Sequence, residues 1–469
     1  MPGICASLCA DIAAFHCTLR PLASLQEHAA VLNALIHSVH RFANRNKYSP
    51  HQQALPEKYF MRPLRLVHVT TVGQSLRFLT GQLRFMQQQG FEVTAVSSPD
   101  DHLQTFCKSE GIHFHPVVMQ RAITPLKDLV SLRSLVNYFR HLKPDIVHAH
   151  TPKGGLLSML AARLARVPVR IYHIHGLPLV TARGFRRILL KNTERIAIRN
   201  ATRALCVSRS VAGVAVSEHL CGDNGIGVLG HGSINGVESA MRFNPRTLSH
   251  TTRADVRRRV SIPEEAPVIG FVGRLVRDKG IVELAEAWHL LRNRFPALHL
   301  LIVGEFECRD SVPAAVRESL LGDTRVHCVG ADWNAPPLYA AMDVVVLPTY
   351  REGFPTVPLE AAAMGLPVVA TRVPGCVDAV VDGVTGVLVP PGDACSLAAA
   401  LAAYIESAPL IASHGGAARE RVKEYFQPST MWALVLREYQ HQLVRAGYSL
   451  ELHAPDSSKH TASSSLFAA

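Results

Sequence analysis

Glu352 and Glu360 stand eight positions apart in the run Tyr-Arg-Glu-Gly-Phe-Pro-Thr-Val-Pro-Leu-Glu-Ala-Ala-Ala-Met-Gly, residues 350–365. A carboxylate can accept from two sugar hydroxyls, so one of these acids suits a ribose and the other a hexose. The run follows the apolar Val344–Leu347 and becomes helical in composition near Thr356, which predicts strand, loop and helix in that order. Backbone N–H groups at such a helix start, with the positive end of its dipole, suit a diphosphate. Pro355 offers no N–H, whereas Gly353, Phe354, Thr356 and Val357 do.

A cation pair accompanies them. Arg274 and Lys279 follow the apolar run Val268–Val272 and precede a helical pattern. A guanidinium fork and an ammonium point charge together neutralise a diphosphate. Taken singly, Glu352 reads as a solvated loop acid, Glu360 as a partly buried helix residue, and Arg274 with Lys279 as a surface pair. Taken together, at the carboxyl ends of two strands of one sheet, they read as a ligand site.

Histidines form the third group. His148 with His150, and His173 with His175, each share a strand face because strand side chains alternate. No acidic or cysteine partner lies nearby at ligand spacing, so no metal is expected. The ten cysteines are scattered, and Cys206, Cys328 and Cys376 sit inside apolar runs, as reduced packing residues do. No disulfide is expected.

The elements that must position these groups come from the hydrophobic pattern. With 469 residues, 48% hydrophobic and 18% charged, the chain is sized for two globular domains and tails. Short runs rich in Val and Ile, at Leu64–Val69, Glu92–Val96, Ile146–Ala149, Val169–Ile174 and Arg203–Val207, predict strands of a first lobe. Helical patterns over Arg77–Gln89, Leu126–His141, Gly155–Ala165 and Gly184–Ile198 alternate with them. A second series runs through Val268–Val272, Leu298–Val303, Val326–Val329, Val344–Leu347, Val368–Ala370 and Gly386–Val389. The expectation is α/β, two Rossmann-like doubly wound lobes facing a central cleft.

The expected boundaries are an extension over 1–60, a first lobe over 61–242, a second over 243–428, a C-terminal helix over 429–450 and a tail over 451–469. The extension lacks a clean period and reads as disordered or as a mis-assigned start before Met61, with a helix over Leu22–Ala43 as the alternative. It also lacks the basic start of a secretory signal.

Net charge bounds the partners. A formal +12 and a pI near 9.4 favour something anionic. Aromatics at 6%, with no zinc-finger spacing, weigh against nucleic acid. The best uncharged apolar run, Ala394–Ile405, falls short of the roughly 18 residues of a membrane span. The helix over Arg183–Arg199, with Arg186, Arg187, Lys191 and Arg195 among Ile and Leu, reads either as a solvated face or as one that lies on an anionic membrane surface.

The whole set resembles glycosyltransferase family 4. The resemblance rests on Gly273-Arg274, Lys279-Gly280, Val303-Gly304-Glu305, Glu352-x7-Glu360 and Pro367-Val368-Val369-Ala370. It extends through His68-Val-Thr-Thr-Val72, His148-Ala-His-Thr-Pro-Lys-Gly-Gly155 and Gly232-Ser-Ile-Asn-Gly236, and covers about residues 64 to 445. Those segments look most like the branch that builds bacterial capsular and exopolysaccharide repeat units.

The resemblance implies a retaining GT-B glycosyltransferase. Its donor would be a nucleoside diphosphate sugar, most commonly of UDP, and its acceptor a polyprenyl-diphosphate-linked saccharide at the cytoplasmic face of the inner membrane. It places Glu360 on the ribose, Glu352 on the transferred sugar, Arg274 and Lys279 on the diphosphate, and His175 beside the sugar. The family's glycine pair after the first strand is reduced here to Gly73, between Val72 and Gln74. No Asp-x-Asp occurs, so metal-independent transfer without a cofactor is implied. A helix over Thr430–Arg445 would return to the first lobe. A non-hydrolysing UDP-sugar epimerase and a non-catalytic donor-binding subunit are the rivals.

Overall fold

The computed structural model describes residues 62–222, 225–249, 251–308, 310–332 and 334–449. The extension 1–60, its alternative helix over Leu22–Ala43, and the tail 451–469 lie outside the described residues.

Among the described residues, seven strands form the first sheet: β1 (Leu64–Val69), β2 (Phe91–Ser97), β3 (His113–Pro116), β4 (Ile146–His150), β5 (Val169–Ile174), β6 (Arg203–Cys206) and β7 (Ile226–Val228). Six form the second: β8 (Val268–Val272), β9 (His299–Val303), β10 (Val326–Cys328), β11 (Val344–Leu347), β12 (Val368–Thr371) and β13 (Gly386–Val389). The orders are β3-β2-β1-β4-β5-β6-β7 and β10-β9-β8-β11-β12-β13, with parallel pairing throughout. Each order reverses direction once, between β1 and β4 and between β8 and β11, and crevices at the carboxyl ends of such strands are where ligands bind.

The central strands are buried on both faces because helices cover both, and apart from the histidines of the first sheet they are largely apolar. Val67, Val69, Ile269, Phe271 and Val345 are all buried to within 1%, and burying such a side chain contributes on the order of 1.5–3 kcal/mol. The basic run Arg253–Arg259 is built into the second lobe. It forms most of helix Thr252–Arg259, and Arg257 is fully buried, pairing with Asp343 at 3.1 Å and donating to the carbonyls of Ala341 and Ala266.

Two edge strands have no counterpart in the sequence pattern. β3 carries His113, Phe114 and Pro116 exposed, and β7 has only three residues, so neither shows a buried run. The helix expected over Arg77–Gln89 is instead a 3-10 segment, Gly73–Leu79, followed by an α-helix, Gln82–Gln88. The break falls at Gly81, at φ +80°, where an added Cβ would stand 2.6 Å from the ring of Trp432. Only glycine admits that backbone and that neighbour together.

Trp432 lies on helix Pro428–Arg445, which returns to the first lobe. Its Nε1 donates to Asn235 at 2.6 Å, Glu438 pairs with Arg203 at 3.0 Å, and Tyr448 donates to buried Asp145 at 2.9 Å.

Candidate active site

The two switch-point loops of the second sheet are bound to each other. After β8 the chain passes Gly273 at φ +151°, makes a 3-10 turn over Arg277–Lys279 and enters helix Ile281–Arg294 through Gly280 at φ +73°. An added Cβ on Gly280 would lie 1.9 Å from the Pro348 carbonyl oxygen in the loop after β11. In return, Tyr350 N–H donates to the Asp278 carbonyl at 2.9 Å, and Arg351 pairs with Asp278 at 2.7 Å.

That contact delivers the Lys279 ammonium to the Glu352 carboxylate, with side-chain exposures of 20% and 11%. Arg274 is more exposed and pairs with Glu307 at 3.0 Å. Its loop is pressed against the next, since an added Cβ on Gly304 would meet the Gly273 carbonyl oxygen at 1.8 Å. Glu360 lies on helix Thr356–Ala363 and accepts from the fully buried Tyr339 hydroxyl at 2.7 Å through Oε2. Burial pushes the Glu360 pKa up, partly opposed by the Tyr339 bond and the Arg242 charge.

Gly353 is one of the points where the lobes touch. Ser208 Oγ donates to its carbonyl at 2.7 Å, and an added Cβ there would lie 1.8 Å from the His175 carbonyl oxygen. Glu352 faces a small gap walled by Leu177, Val180, Val211 and Val214 of the first lobe and by Arg351 and Pro374 of the second. Phe354 is used differently: its ring packs on Phe426 at 5.5 Å and lies against Gly232, so it joins the two cores and offers a ligand only its backbone. Thr356 and Val357 open the helix behind Pro355. Gly73 is committed within its own lobe, its N–H donating to Asp100 at 3.0 Å, where a Cβ would clash with that carboxylate.

His175 is half-buried, and behind it lies a group that residue spacing did not reveal. β1 pairs with β4 so that His68 stands beside His148, and β4 pairs with β5 so that His150 stands beside His173. His68, His148, His150 and His173 are each no more than 2% exposed. Among the described residues, one ring nitrogen from each of His68, His148 and His150 lies within 4.8 Å of the others, and the same holds for His150, His173 and His175. His68 was visible in the sequence only as part of a motif; parallel pairing across about 80 positions makes it a neighbour.

On the basic helix, Gly184–Asn200, Arg187 and Lys191 pair with Glu218 at 2.6 and 3.2 Å, and Arg195 donates to the His219 carbonyl. Arg183, Phe185, Arg186 and Ile188 are left exposed. No disulfide is seen among the described cysteines, and no single described helix is long and apolar enough to cross a membrane.

Comparison with known proteins places this geometry. Residues 77–216 match the family described as glycosyl transferase 4-like domain, and residues 266–407 match glycosyl transferases group 1. The capsular polysaccharide biosynthesis glycosyltransferase CapM of Staphylococcus aureus is 32% identical over 79% of this chain and 96% of its own length. The UDP-Gal:alpha-D-GlcNAc-diphosphoundecaprenol alpha-1,3-galactosyltransferase of Escherichia coli is 27% identical over 63% of this chain and 75% of its own. Anabaena HepE, solved with UDP and glucose, superposes with a TM-score of 0.68 over 80% of this chain and 99% of its own at 20% identity, a likeness of fold.

The fold and these matches define a GT-B glycosyltransferase. The chain belongs to glycosyltransferase family 4, in the branch that builds capsular polysaccharide.

Proposed function

We propose that this glycosyltransferase moves a sugar, with retention, from a nucleoside diphosphate sugar, that of UDP, to a polyprenyl-diphosphate-linked saccharide. The observation that carries the reading is the Lys279–Glu352 pair, held at the carboxyl edge of β8 and β11 on the loop that meets His175. Lys279 and Arg274 take the diphosphate, with the N–H groups of Thr356 and Val357, while Glu360 holds the ribose and Glu352 the transferred sugar. His175 lies beside that sugar.

Retention then follows front-face attack. The leaving phosphate oxygen takes the acceptor proton, and the cations with the helix start stabilise the charge that builds there. No side chain needs to be a covalent nucleophile and no metal or cofactor is required. The name of the Escherichia coli relative, with a UDP-sugar and a diphosphoundecaprenol acceptor, supports these substrate classes. The acceptor's lipid suits a peripheral position on the cytoplasmic face of the inner membrane. Exposed Arg183, Phe185, Arg186 and Ile188 supply cations and apolar tips for that anionic surface.

The test is a panel of UDP-, GDP- and ADP-sugars with the full chain, following nucleoside diphosphate release with and without polyprenyl-diphosphate-sugar. Acceptor-dependent release that Lys279→Ala and Glu360→Ala abolish supports the reading and names the donor. Donor conversion without acceptor would move it to an epimerase.

A further inference from the structure

Tyr439, on the returning helix Pro428–Arg445, has two histidine contacts and one proton to give. Its hydroxyl lies 2.6 Å from His148 Nδ1 and 3.3 Å from His68 Nε2. An N–H donor keeps its oxygen acceptor about 2.7–3.2 Å away; the 2.6 Å contact is short for one and suits the phenol O–H donating to a bare His148 nitrogen, while the 3.3 Å contact is long and suits a weak N–H donation. That proton being used, His68 Nε2–H donates to the Tyr439 oxygen.

The rest follows from proton counting. Burial holds the His68 pKa down at about 3 and that of His175 at about 4, and lowers those of His148, His150 and His173 as well, so all five rings are neutral. A neutral imidazole carries one N–H and one acceptor. His68 Nδ1 is therefore bare and accepts from His150 Nε2–H across 3.0 Å. His150 Nδ1 is bare in turn and accepts from His175 Nε2–H across 2.9 Å. The chain ends with the His175 proton turned inward and its Nδ1 unprotonated. Of the five rings only His175 is not fully buried, and its Nδ1 has no partner among the described residues.

We propose that Tyr439, His68 and His150 are positioning residues that set the tautomer of His175, so that this ring meets the transferred sugar as a hydrogen-bond acceptor through Nδ1. What His175 faces rests on the donor-site reading above; the direction of the chain rests on the contacts alone. A ring protonated at Nδ1 would present a donor to the same hydroxyl and misorient it. Reaching that state requires every group back to Tyr439 to reverse its proton, which the short Tyr439–His148 bond opposes. The anchor of the chain lies on the helix that returns from the second lobe, so docking of that helix and the polarity of the sugar site are linked.

The experiment uses the full chain with ring-nitrogen-labelled histidine, whose nitrogen shifts distinguish the two tautomers. His175, assigned through His175→Gln, is expected to be Nε2-protonated in the native protein and mixed in Tyr439→Phe, which keeps the buried ring. With donor and acceptor, Tyr439→Phe should lose kcat by roughly 10-fold, the worth of one oriented hydrogen bond, with donor KM little changed. Nδ1 protonation in the native protein, or an unchanged tautomer in Tyr439→Phe, would overturn the proposal. So would a stoichiometric divalent cation in the purified protein that His68→Asn removes. That arm is needed because His148 Nε2 and both nitrogens of His173 are buried without a partner, as metal ligands would be. Native tautomers as expected in a chain that binds no nucleotide sugar would overturn the sugar contact and leave the chain's direction standing.

Discussion

The carbonyl oxygen of His175 lies 1.8 Å from where a Cβ on Gly353 would stand, so the first lobe's candidate sugar residue and the second lobe's candidate donor loop meet backbone to backbone. No flexible side chain is available to yield at that point. Gly353→Ala should therefore push the loop carrying Glu352 away from His175. The expected outcome is a loss of kcat of at least about 100-fold, because small misplacements of reacting groups cost that much. Thermal melting of the same variant should fall by only a few degrees, since overpacking costs about 1–3 kcal/mol in a chain this long.

Glu360 gives a prediction with a sign. Burial raises its pKa above the ordinary 4.5, and on the proposed reading it must be ionised to accept from ribose hydroxyls. Donor affinity should then fall as pH drops, beginning above 4.5 rather than below it. Glu360→Gln, which cannot ionise, should bind donor about 10-fold more weakly at neutral pH, two shared hydrogen bonds being weakened. Calorimetric titration across pH checks both, and an acid limb that survives in Glu360→Gln would assign it to another group.

Glu194 predicts an effect on stability away from the site. It is 2% exposed on helix Gly184–Asn200, accepts from the Tyr172 hydroxyl at 2.7 Å, and burial pushes its pKa up to about 7. Its folded value exceeds its unfolded one, so the folded state binds the proton more tightly and stability declines as pH rises from about 4.5 to about 7. Above that window the loss is complete. Glu194→Gln should thus melt higher than the native chain at pH about 8, by up to about 3 kcal/mol, and the difference should vanish near pH 4.5.

The exposed tips of the basic helix predict where a membrane would be felt. Replacing Arg183 and Arg186 with Glu, or Ile188 with Asp, should reduce co-sedimentation with anionic vesicles severalfold, each cation near such a surface being worth about 1 kcal/mol. Arg187→Glu is the contrasting control. That residue already pairs with Glu218, so its loss should lower stability more than vesicle binding.

Chelation supplies a further check. Donor turnover should be unaffected by EDTA, because the proposed charge stabilisation comes from Arg274, Lys279 and the helix start. Loss of turnover that a divalent cation restores would require a metal in the site.

Most strands could be read along the chain: β1, β5, β8, β11 and β13 span the residues their apolar runs mark, because a strand covered on both faces is rich in apolar residues. β3 and β7 could not, being edge strands with little to bury. The split between Gly73–Leu79 and Gln82–Gln88 could not either, because the ring that enforces it is Trp432, some 350 positions away.

At the candidate site the division is similar. The residue types at Arg274, Lys279, Glu352 and Glu360 were legible from spacing, since strand ends and helix starts carry local patterns that bring chemistry to a sheet edge. The Lys279–Glu352 pair was not, and neither was the packing use of Phe354 or the commitment of Gly73 to Asp100. Local pattern determined the elements, the two sheets and the chemical character of their carboxyl edges. Tertiary structure alone decided that β1 lies beside β4 and that Tyr439 returns beneath them, because parallel pairing and lobe docking join residues whose separation along the chain carries no periodic signal. Those contacts turn separate histidines into one chain ending at His175.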